Sequence, residues 1–287
     1  MSRPFSTAAS AHVLSVDCEF LESRQLLAGN VTVDVVGGNL VITGDNQAND
    51  IAITQFGATS ADQFVLKSGS NPTTLNGQNG PLLIEGVTRD FRIDFRGQSD
   101  SVTLYLADVP RDLIITSGDG GSQFNAAVAT VGRNLRITHG TGFDTLDASS
   151  LVVMGTTRIT SGPGGSHLQL HNATLTGNTD LRTIGFSAVS MVSTQFEGNL
   201  SVRSDGGVYN MEDTRVAGRI TGTFGQGHKT WEMSHSTLSG DLRLSFGAGE
   251  SFFDSEYSTI GGNVQVRDTA EASSFRSYYD DFAKSIV

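Results

Sequence analysis

An apolar pattern returns about every 22 residues through most of this chain, and such a period indicates a solenoid of stacked copies. Each copy opens with an apolar residue and has a second one two positions later, as in a strand that turns alternate side chains inward. This repeat limits the possible folds more than any other feature of the sequence. The clearest copies are RDLIIT (111–116), RNLRIT (133–138), GNLSVR (198–203), GDLRLS (240–245) and GNVQVR (262–267).

Four apolar columns keep one register over nine copies, with the second column two residues after the first and the third column eleven residues after it. The first column is Phe91, Leu113, Leu135, Thr157, Thr179, Leu200, Ile220, Leu242 and Val264. The third is Val102, Phe124, Leu146, Leu168, Ser190, Met211, Trp231, Phe253 and Phe275. The fourth is Val109, Val131, Val153, Leu175, Phe196, Val216, Leu238, Ile260 and Phe282. All four columns are predicted to face the core.

One copy cannot fold alone. Its roughly four inward apolar side chains are worth about 6–12 kcal/mol when buried, and ordering the backbone of the copy costs at least as much. Neighbouring copies must therefore stack to share one core. We predict an all-β, right-handed parallel β-helix with about 22 residues and three short strands in each coil, the hand following the general preference of parallel crossovers.

The chain divides into two parts in this interpretation. Residues 1–29 form an N-terminal export or sorting segment, and residues 30–287 form a single β-helix domain. Within the domain, 30–87 are irregular coils and 88–287 are nine regular coils. The segments GNLVI (38–42) and FVL (64–66) are predicted to be the first strands of the two irregular coils.

Turn residues before the first strand support this fold. Glycine recurs there, at Gly155, Gly177, Gly198, Gly218, Gly240 and Gly262. We expect these glycines to supply a left-handed backbone, which glycine adopts readily. The next position is mostly Asn or Asp, which bond locally to the backbone. A stacked ladder is therefore predicted through Asp90, Asp112, Asn134, Thr156, Asn178, Asn199, Arg219, Asp241 and Asn263.

Composition narrows the class of partner. The net charge is -11 and the pI is near 4.9, so nucleic-acid binding is not expected, because it requires a basic face. Cys18 is the single cysteine, which excludes an intramolecular disulfide. No apolar run reaches about 18 residues, so no membrane-spanning helix is predicted.

The stretch HGTGFDTLD (139–147) is similar to the calcium-binding nonapeptide G-G-x-G-x-D-x-U-x of β-roll proteins. Asp144 and Asp147 would be its candidate metal ligands. The copies above and below mostly lack an equivalent carboxylate, whereas calcium takes six to eight oxygen ligands. The G-x-G part recurs without the acid, which favours a structural turn that bends the chain and leaves calcium as the alternative.

A row of outward carboxylates is the candidate for catalysis. Glu212, Glu232 and Asp254 each follow the third column by one residue, so they are predicted to lie on consecutive coils about 4.8 Å apart. Asp147 belongs to the same row. These carboxylates could perform acid–base chemistry, bind a cation, or form a solvated stripe. The outward arginines lie on a different face, on the first strand, and are Arg92, Arg136, Arg158, Arg182, Arg203, Arg243 and Arg267.

The segment LESRQLLA (21–28) resembles the LExRxLLA (LEPR-XLL) motif near the N-terminus of exported or surface proteins of planctomycete-type bacteria. The matching residues are Leu21, Glu22, Arg24, Leu26, Leu27 and Ala28, and Ser23 replaces the common proline. The resemblance covers eight residues and implies export and a sorting or anchoring role. The alternative is a short amphipathic helix that caps the first coil, and one segment could serve both purposes.

Together these features predict an exported, cell-surface or extracellular β-helix protein with a structural, adhesive or binding role. Its expected partners are cell-surface polysaccharide or other surface proteins, and calcium is the one cofactor left open. The alternative is a carbohydrate-active enzyme, a polysaccharide lyase or hydrolase, that uses the acidic row. The fold alone cannot decide between them, because activity depends on a site.

Overall fold

The computed structural model describes residues 29–55, 57, 62–269 and 273–283, and within them every regular element is a β-strand. No helix in these ranges is long and apolar enough to cross a membrane. The strands are β1 (Gly29–Val36), β2 (Asn39–Gly44), β3 (Asp50–Gln55), β4 (Phe64–Ser68), β5 (Thr73–Leu75), β6 (Leu82–Ile84), β7 (Phe91–Asp94), β8 (Asp100–Val109), β9 (Leu113–Thr116), β10 (Ser122–Val131), β11 (Leu135–Thr138), β12 (Asp144–Val153), β13 (Thr157–Ser161), β14 (Ser166–His171), β15 (Thr174–Leu175), β16 (Thr179–Val192), β17 (Gln195–Phe196), β18 (Leu200–Glu212), β19 (Arg215–Val216), β20 (Ile220–Phe224), β21 (Lys229–Ser234), β22 (Thr237–Leu238), β23 (Leu242–Phe246), β24 (Ser251–Glu256), β25 (Thr259–Ile260), β26 (Val264–Asp268), β27 (Ser273–Tyr278) and β28 (Asp281–Phe282).

These strands stack in parallel into a solenoid with a coil of about 22 residues, which confirms the predicted all-β parallel solenoid. The first column is in register from coil to coil, as Phe91 pairs with Leu113 and Leu113 with Leu135. The fourth column is also in register, through pairs such as Leu238 and Ile260. In each regular coil a first, a second and a third strand segment line one continuous apolar core. The first segment is β7, β9 or β11 in the early coils, the second and third are joined in β8, β10 and β12, and the first and second are joined in β16 and β18. Three parallel sheets therefore surround the axis, which we name the first-, second- and third-strand sheets.

The predicted third column is wrong in two coils. Leu168 pairs with Val189, not Ser190, and Val189 pairs with Tyr209, not Met211. The copies that begin at Thr179 and Leu200 are shorter than the others, and the residues that they lack come from the turn between the first and second strands. A register shift after Thr183 marks this turn. Because the third column was predicted from a fixed spacing of eleven residues, every second-strand residue in these two coils was assigned to the wrong position.

The N-terminal part contains one irregular coil and a cap. The prediction for GNLVI is confirmed, since Leu40 of β2 pairs in parallel with Phe91. The prediction for FVL is wrong, because β4 pairs antiparallel with both β3 and β6. Antiparallel β1 and β2 complete this cap. Phe64 packs edge-on against Phe91 with ring centroids 4.9 Å apart, so the cap joins the core of the first regular coil.

The corner glycines have a different role from the one predicted. None of the six has a positive φ. A Cβ atom on Gly177 would lie 2.5 Å from the carbonyl oxygen of Gly155 in the coil below, and on Gly262 it would lie 2.4 Å from the backbone of Gly240. Glycine is needed here because two backbones stack in direct contact, and the left-handed conformation plays no part.

The predicted Asn/Asp ladder is present at this corner. The Asp112 Oδ1 atom accepts hydrogen bonds from the Asn134 backbone N–H at 3.0 Å and from its Nδ2 at 3.1 Å. The Asn178 side chain receives the same two bonds from Asn199. Each side-chain oxygen thus satisfies a backbone donor of the next coil, which holds the corner in register.

The left-handed residues lie at another corner, between the second and third strands. In nine consecutive coils this position holds a non-glycine residue with φ near +50°. One of these residues is Val128, whose φ is 53°. A β-branched residue is strained in this region of backbone space, so the stacked coils force the conformation. The nine residues are Leu106, Val128, Ser150, Asn172, Ser193, Asp213, His235, Tyr257 and Tyr279.

A Val128→Asn substitution should therefore stabilise the protein by about 1 kcal/mol, because asparagine tolerates this conformation better than valine. Urea unfolding of the full chain measures the change. The control is Val152→Asn, on the third strand of the next coil, where φ is not positive. It should leave the stability unchanged or lower it. Equal effects at the two positions would contradict strain at the corner.

Candidate functional site

A row of polar side chains points into the core at the start of the second strand. Asn49, Asp100, Ser122 and Asp144 occupy this position in successive coils and are all buried. The Asn49 side chain and backbone N–H both donate to the Asp100 Oδ1 atom at 3.0 Å. Ser122 donates its hydroxyl to the Asp144 Oδ1 atom at 2.8 Å. The second oxygen of each aspartate has no hydrogen-bond partner among the described residues.

His139 joins this row from the turn before it. Its Nδ1 atom contacts the Ser122 hydroxyl and lies 3.5 Å from the Asp144 carboxylate. The three residue types are those of a hydrolase triad, but the order differs, because the serine lies between the histidine and the acid rather than at one end. All three side chains are buried. A substrate cannot reach this serine, so the cluster is a hydrogen-bonded part of the core.

Burial changes the acidity of these groups. It raises the pKa of Asp144 and of Asp100 to about 6, and it lowers the pKa of His139 to about 4. Each shift favours the neutral form, as expected where a charge has lost its water. Lys229, in the same row near the C-terminal end, also has a lowered pKa because of burial. Its ammonium donates to the carbonyl oxygens of Gly247 and Ala248 at 2.9 and 2.6 Å.

The two candidate calcium ligands do not converge. Asp144 points into the core and Asp147 is exposed on the outer face of the same strand. In the part of the chain that the structure describes, no group of three or more His, Cys, Asp and Glu side chains could hold a metal ion. The glycines of HGTGFDTLD have a packing role, since a Cβ atom on Gly140 would lie 1.9 Å from the Gly118 carbonyl oxygen. The chain bends at Thr141 and Gly142, between β11 and β12, which confirms the predicted structural turn. None of the G-x-G glycines between 118 and 142 has a positive φ, so these glycines serve the turn by allowing close stacking.

The structure separates the predicted acidic row. Glu232 and Asp254 do lie on consecutive coils in one outward row, but Glu212 pairs with Ser234 and belongs to the next row. The shortened turn between the first and second strands of the coil that contains Glu212 causes this displacement. Asp147 is in the row of Glu232, but Gln169, Ser190 and Asn210 lie between them. The catalytic candidate is therefore reduced to two adjacent carboxylates.

Arg276 extends this shorter row. It pairs with Asp254 on the last coil, so Glu232, Asp254 and Arg276 are successive members of one row. A carboxylate and a guanidinium at paired positions of adjacent coils could serve as a base and a cation, a combination that was not predicted from the sequence. Signals in the sequence could have found it, since Arg276 follows Phe275 of the third column by one residue.

The arginines predicted to be outward do lie on the outer face of the first-strand sheet, in two rows. Asp180 is the centre of the best-ordered group, since its Oδ2 atom accepts from Arg158 at 3.1 Å and from Arg182 at 2.8 Å. A shallow depression of about 470 Å³ includes Arg136 and Arg158, and another of about 440 Å³ includes Arg182 and Arg203. We name this surface the arginine face.

The sorting motif Leu21–Ala28 lies outside the described residues, so its role remains a prediction from the sequence. Comparison of the chain with models of protein families, with curated proteins and with solved structures finds no match. The chemistry of the site must therefore be inferred from its own geometry.

Asp144→Asn should change the pH dependence of stability. The pKa of Asp144 is raised on folding. Its contribution to the free energy of unfolding is therefore fully present below about pH 4 and is lost as the pH rises through about 6. The amide does not titrate, so the variant should gain roughly 1–3 kcal/mol relative to wild type between pH 4 and pH 8. Urea unfolding at several pH values measures this difference. Exposed Asp147→Asn is the control, and parallel profiles for the two variants would contradict a buried carboxylate.

Calcium should leave the melting temperature unchanged, because Asp144 and Asp147 are on opposite faces of their strand. A ligand that binds the folded state raises the melting temperature. A thermal melt of the full chain in calcium and in chelator is the measurement. A rise in calcium that Asp144→Asn or Asp147→Asn abolishes would restore the nonapeptide as a metal site.

Proposed function

We propose that this chain is an exported, cell-surface or extracellular β-helix protein whose role is binding or scaffolding, with surface polysaccharide as its ligand. The observation that carries this proposal is where its reactive groups lie. Strongly shifted pKa values usually accompany active sites. Here the groups with strongly shifted pKa values, Asp100, His139 and Asp144, are all inside the core, where they are hydrogen-bonded to residues of the neighbouring coil. The accessible side chains instead repeat in rows along the outside.

Repeated outward rows favour a repeated ligand. Side chains at equivalent positions on neighbouring coils are about 4.8 Å apart, so each row offers the same chemistry at regular intervals. A linear polymer can contact several coils at once, and such contacts add avidity without a deep pocket. Export is supported by the resemblance of residues 21–28 to a surface-protein motif.

A carbohydrate-active enzyme is the second candidate, and one observation favours it. Glu232, Asp254 and Arg276 follow one another on consecutive coils of the second-strand sheet. One Asp254 oxygen is buried without a hydrogen-bond partner among the described residues. In a lyase the carboxylate would remove a proton beside a sugar carboxylate, and the guanidinium would hold that carboxylate.

The two candidates differ in whether product is released. We expect the full chain to sediment with insoluble or surface-attached polysaccharide and to release neither reducing ends nor unsaturated sugars. The Glu232→Gln/Asp254→Asn double variant should bind as wild type does, because binding does not depend on this pair. In cells of the source organism, the protein should be accessible to protease added outside.

Turnover of an acidic polysaccharide that this double variant loses would replace the binding proposal with the enzyme. A chain that binds no surface polymer and stays protected from external protease would contradict the binding proposal and the export proposal together. The double variant should unfold cooperatively with a melting temperature close to that of wild type, since Glu232 is exposed and Asp254 is only partly buried.

A further inference from the structure

Charge is unevenly distributed around the solenoid. On a chain of net charge -11, the two outward rows of the first-strand sheet hold seven arginines and two aspartates. The aspartates are Asp94 and Asp180. Two of the seven arginines, Arg92 and Arg243, form ion pairs with aspartates of the adjoining corner. The outward rows of the second-strand sheet have the opposite balance, with the acids Asp147, Glu212, Glu232, Asp254 and Glu256 and the single arginine Arg276.

The arginine face is continuous over the middle of the molecule. Arg136 and Arg158 pair in one outward row, and Arg182 and Arg203 pair in the other. These four residues belong to four consecutive coils, so the surface offers one guanidinium for each coil rise of about 4.8 Å. This spacing is close to the length of one sugar residue in an extended chain.

The two end members of this set are available to a ligand. Asp180 holds the central residues, Arg158 and Arg182. Among the residues that the structure describes, no ion pair involves Arg136 or Arg203, and both are exposed. Two exposed like-charged groups without partners repel their neighbours. An anionic ligand would remove that repulsion.

Apolar side chains lie beside the guanidinium groups. Ile114 pairs with Arg136 and is half-buried, and Ile184 is exposed next to Arg182 and Arg203. A surface that combines guanidinium forks with aliphatic contacts suits a polymer that has both carboxylates and ring C–H groups. The two shallow depressions of the arginine face are sufficient for a polysaccharide chain that lies along the surface.

We propose that the arginine face binds an extended acidic polysaccharide, a polyuronate-type chain that runs along the solenoid and crosses from one arginine row to the other, with its carboxylates on Arg136, Arg158, Arg182 and Arg203. This inference rests on the proposed binding function and names its ligand class and its surface. A nucleic-acid duplex fits less well, because its width would bring phosphates over the acidic second-strand sheet. One polysaccharide chain needs only the two outward arginine rows.

The test is binding of the full chain to immobilised polygalacturonate, with neutral dextran and double-stranded DNA as the other probes. Arg203→Gln should weaken polygalacturonate binding about tenfold, the cost of one charge-assisted bidentate contact. Arg136→Gln/Arg203→Gln should weaken it further, and the affinity of wild type should fall as salt is raised. Melting curves should be unchanged, since both side chains face solvent.

The matched control is Arg215→Gln, which removes the same charge from the third-strand sheet, where Arg215 is exposed and pairs with Gln195 and Thr237. It should leave the affinity for polygalacturonate within about twofold of wild type, since long-range charge is screened by salt. An equal loss with Arg215→Gln would overturn the arginine face as the binding surface. Tighter binding of DNA than of polygalacturonate would overturn the ligand class.

Failure of this inference is distinct from failure of the proposed function. Binding of neutral surface polysaccharide without polygalacturonate binding would overturn the acidic ligand and leave the binding role in place. Absence of binding to any polysaccharide, together with protection from external protease, would overturn both.

Discussion

Direct contact between the backbones of neighbouring coils determines most of this structure. Wherever two turns stack without a side chain between them, as at Gly140 on Gly118 and Gly177 on Gly155, a Cβ atom would overlap a carbonyl group. The same close stacking places side-chain oxygens of one coil against N–H groups of the next, which creates the ladder through Asp112 and Asn134. A second ladder follows the left-handed corner, where Thr214 N–H donates to the Ser236 hydroxyl at 3.1 Å and Ser236 N–H donates to the Ser258 hydroxyl at 3.2 Å. Coil registration is thus fixed at two corners as well as in the sheets.

The sequence predicted those parts of the fold that depend on periodic apolar burial. The first column from Phe91 onward and the fourth column are in the expected register because each strand has one face in the core. The second-strand register of two coils was predicted wrongly because the residues that these coils lack come from one turn. The shift left no visible break in the apolar pattern, since a displaced residue such as Met211 is also apolar and faces inward. The left-handed corner was hidden for a different reason. Stacking imposes that conformation on Leu106 and Val128, residues whose own preferences oppose it.

The candidate site was predictable only where it follows the same periodicity. Arginines on the first strand were identified as outward because their positions alternate with the first and second columns. The acidic row was predicted from one fixed spacing, so one displaced turn was enough to remove Glu212 from it. The contact between His139 and Asp144 was not predictable, since it depends on the path of the turn between β11 and β12. Side-chain contacts made across a turn have no period that a sequence pattern can reveal.

Polar groups inside and outside the solenoid have opposite physical roles. Within the core the nearly dry surroundings favour the neutral forms of Asp144 and His139, which limits them to hydrogen bonding. On the surface the guanidinium groups keep their charge, and the rigid coils hold them at fixed intervals. Asp180 positions two of these groups with one carboxylate oxygen while Arg136 and Arg203 remain without ion pairs among the described residues. A flexible loop would lose conformational entropy on ordering four arginines for a polymer. The stacked coils have already fixed their backbones, so binding needs to order only the side chains.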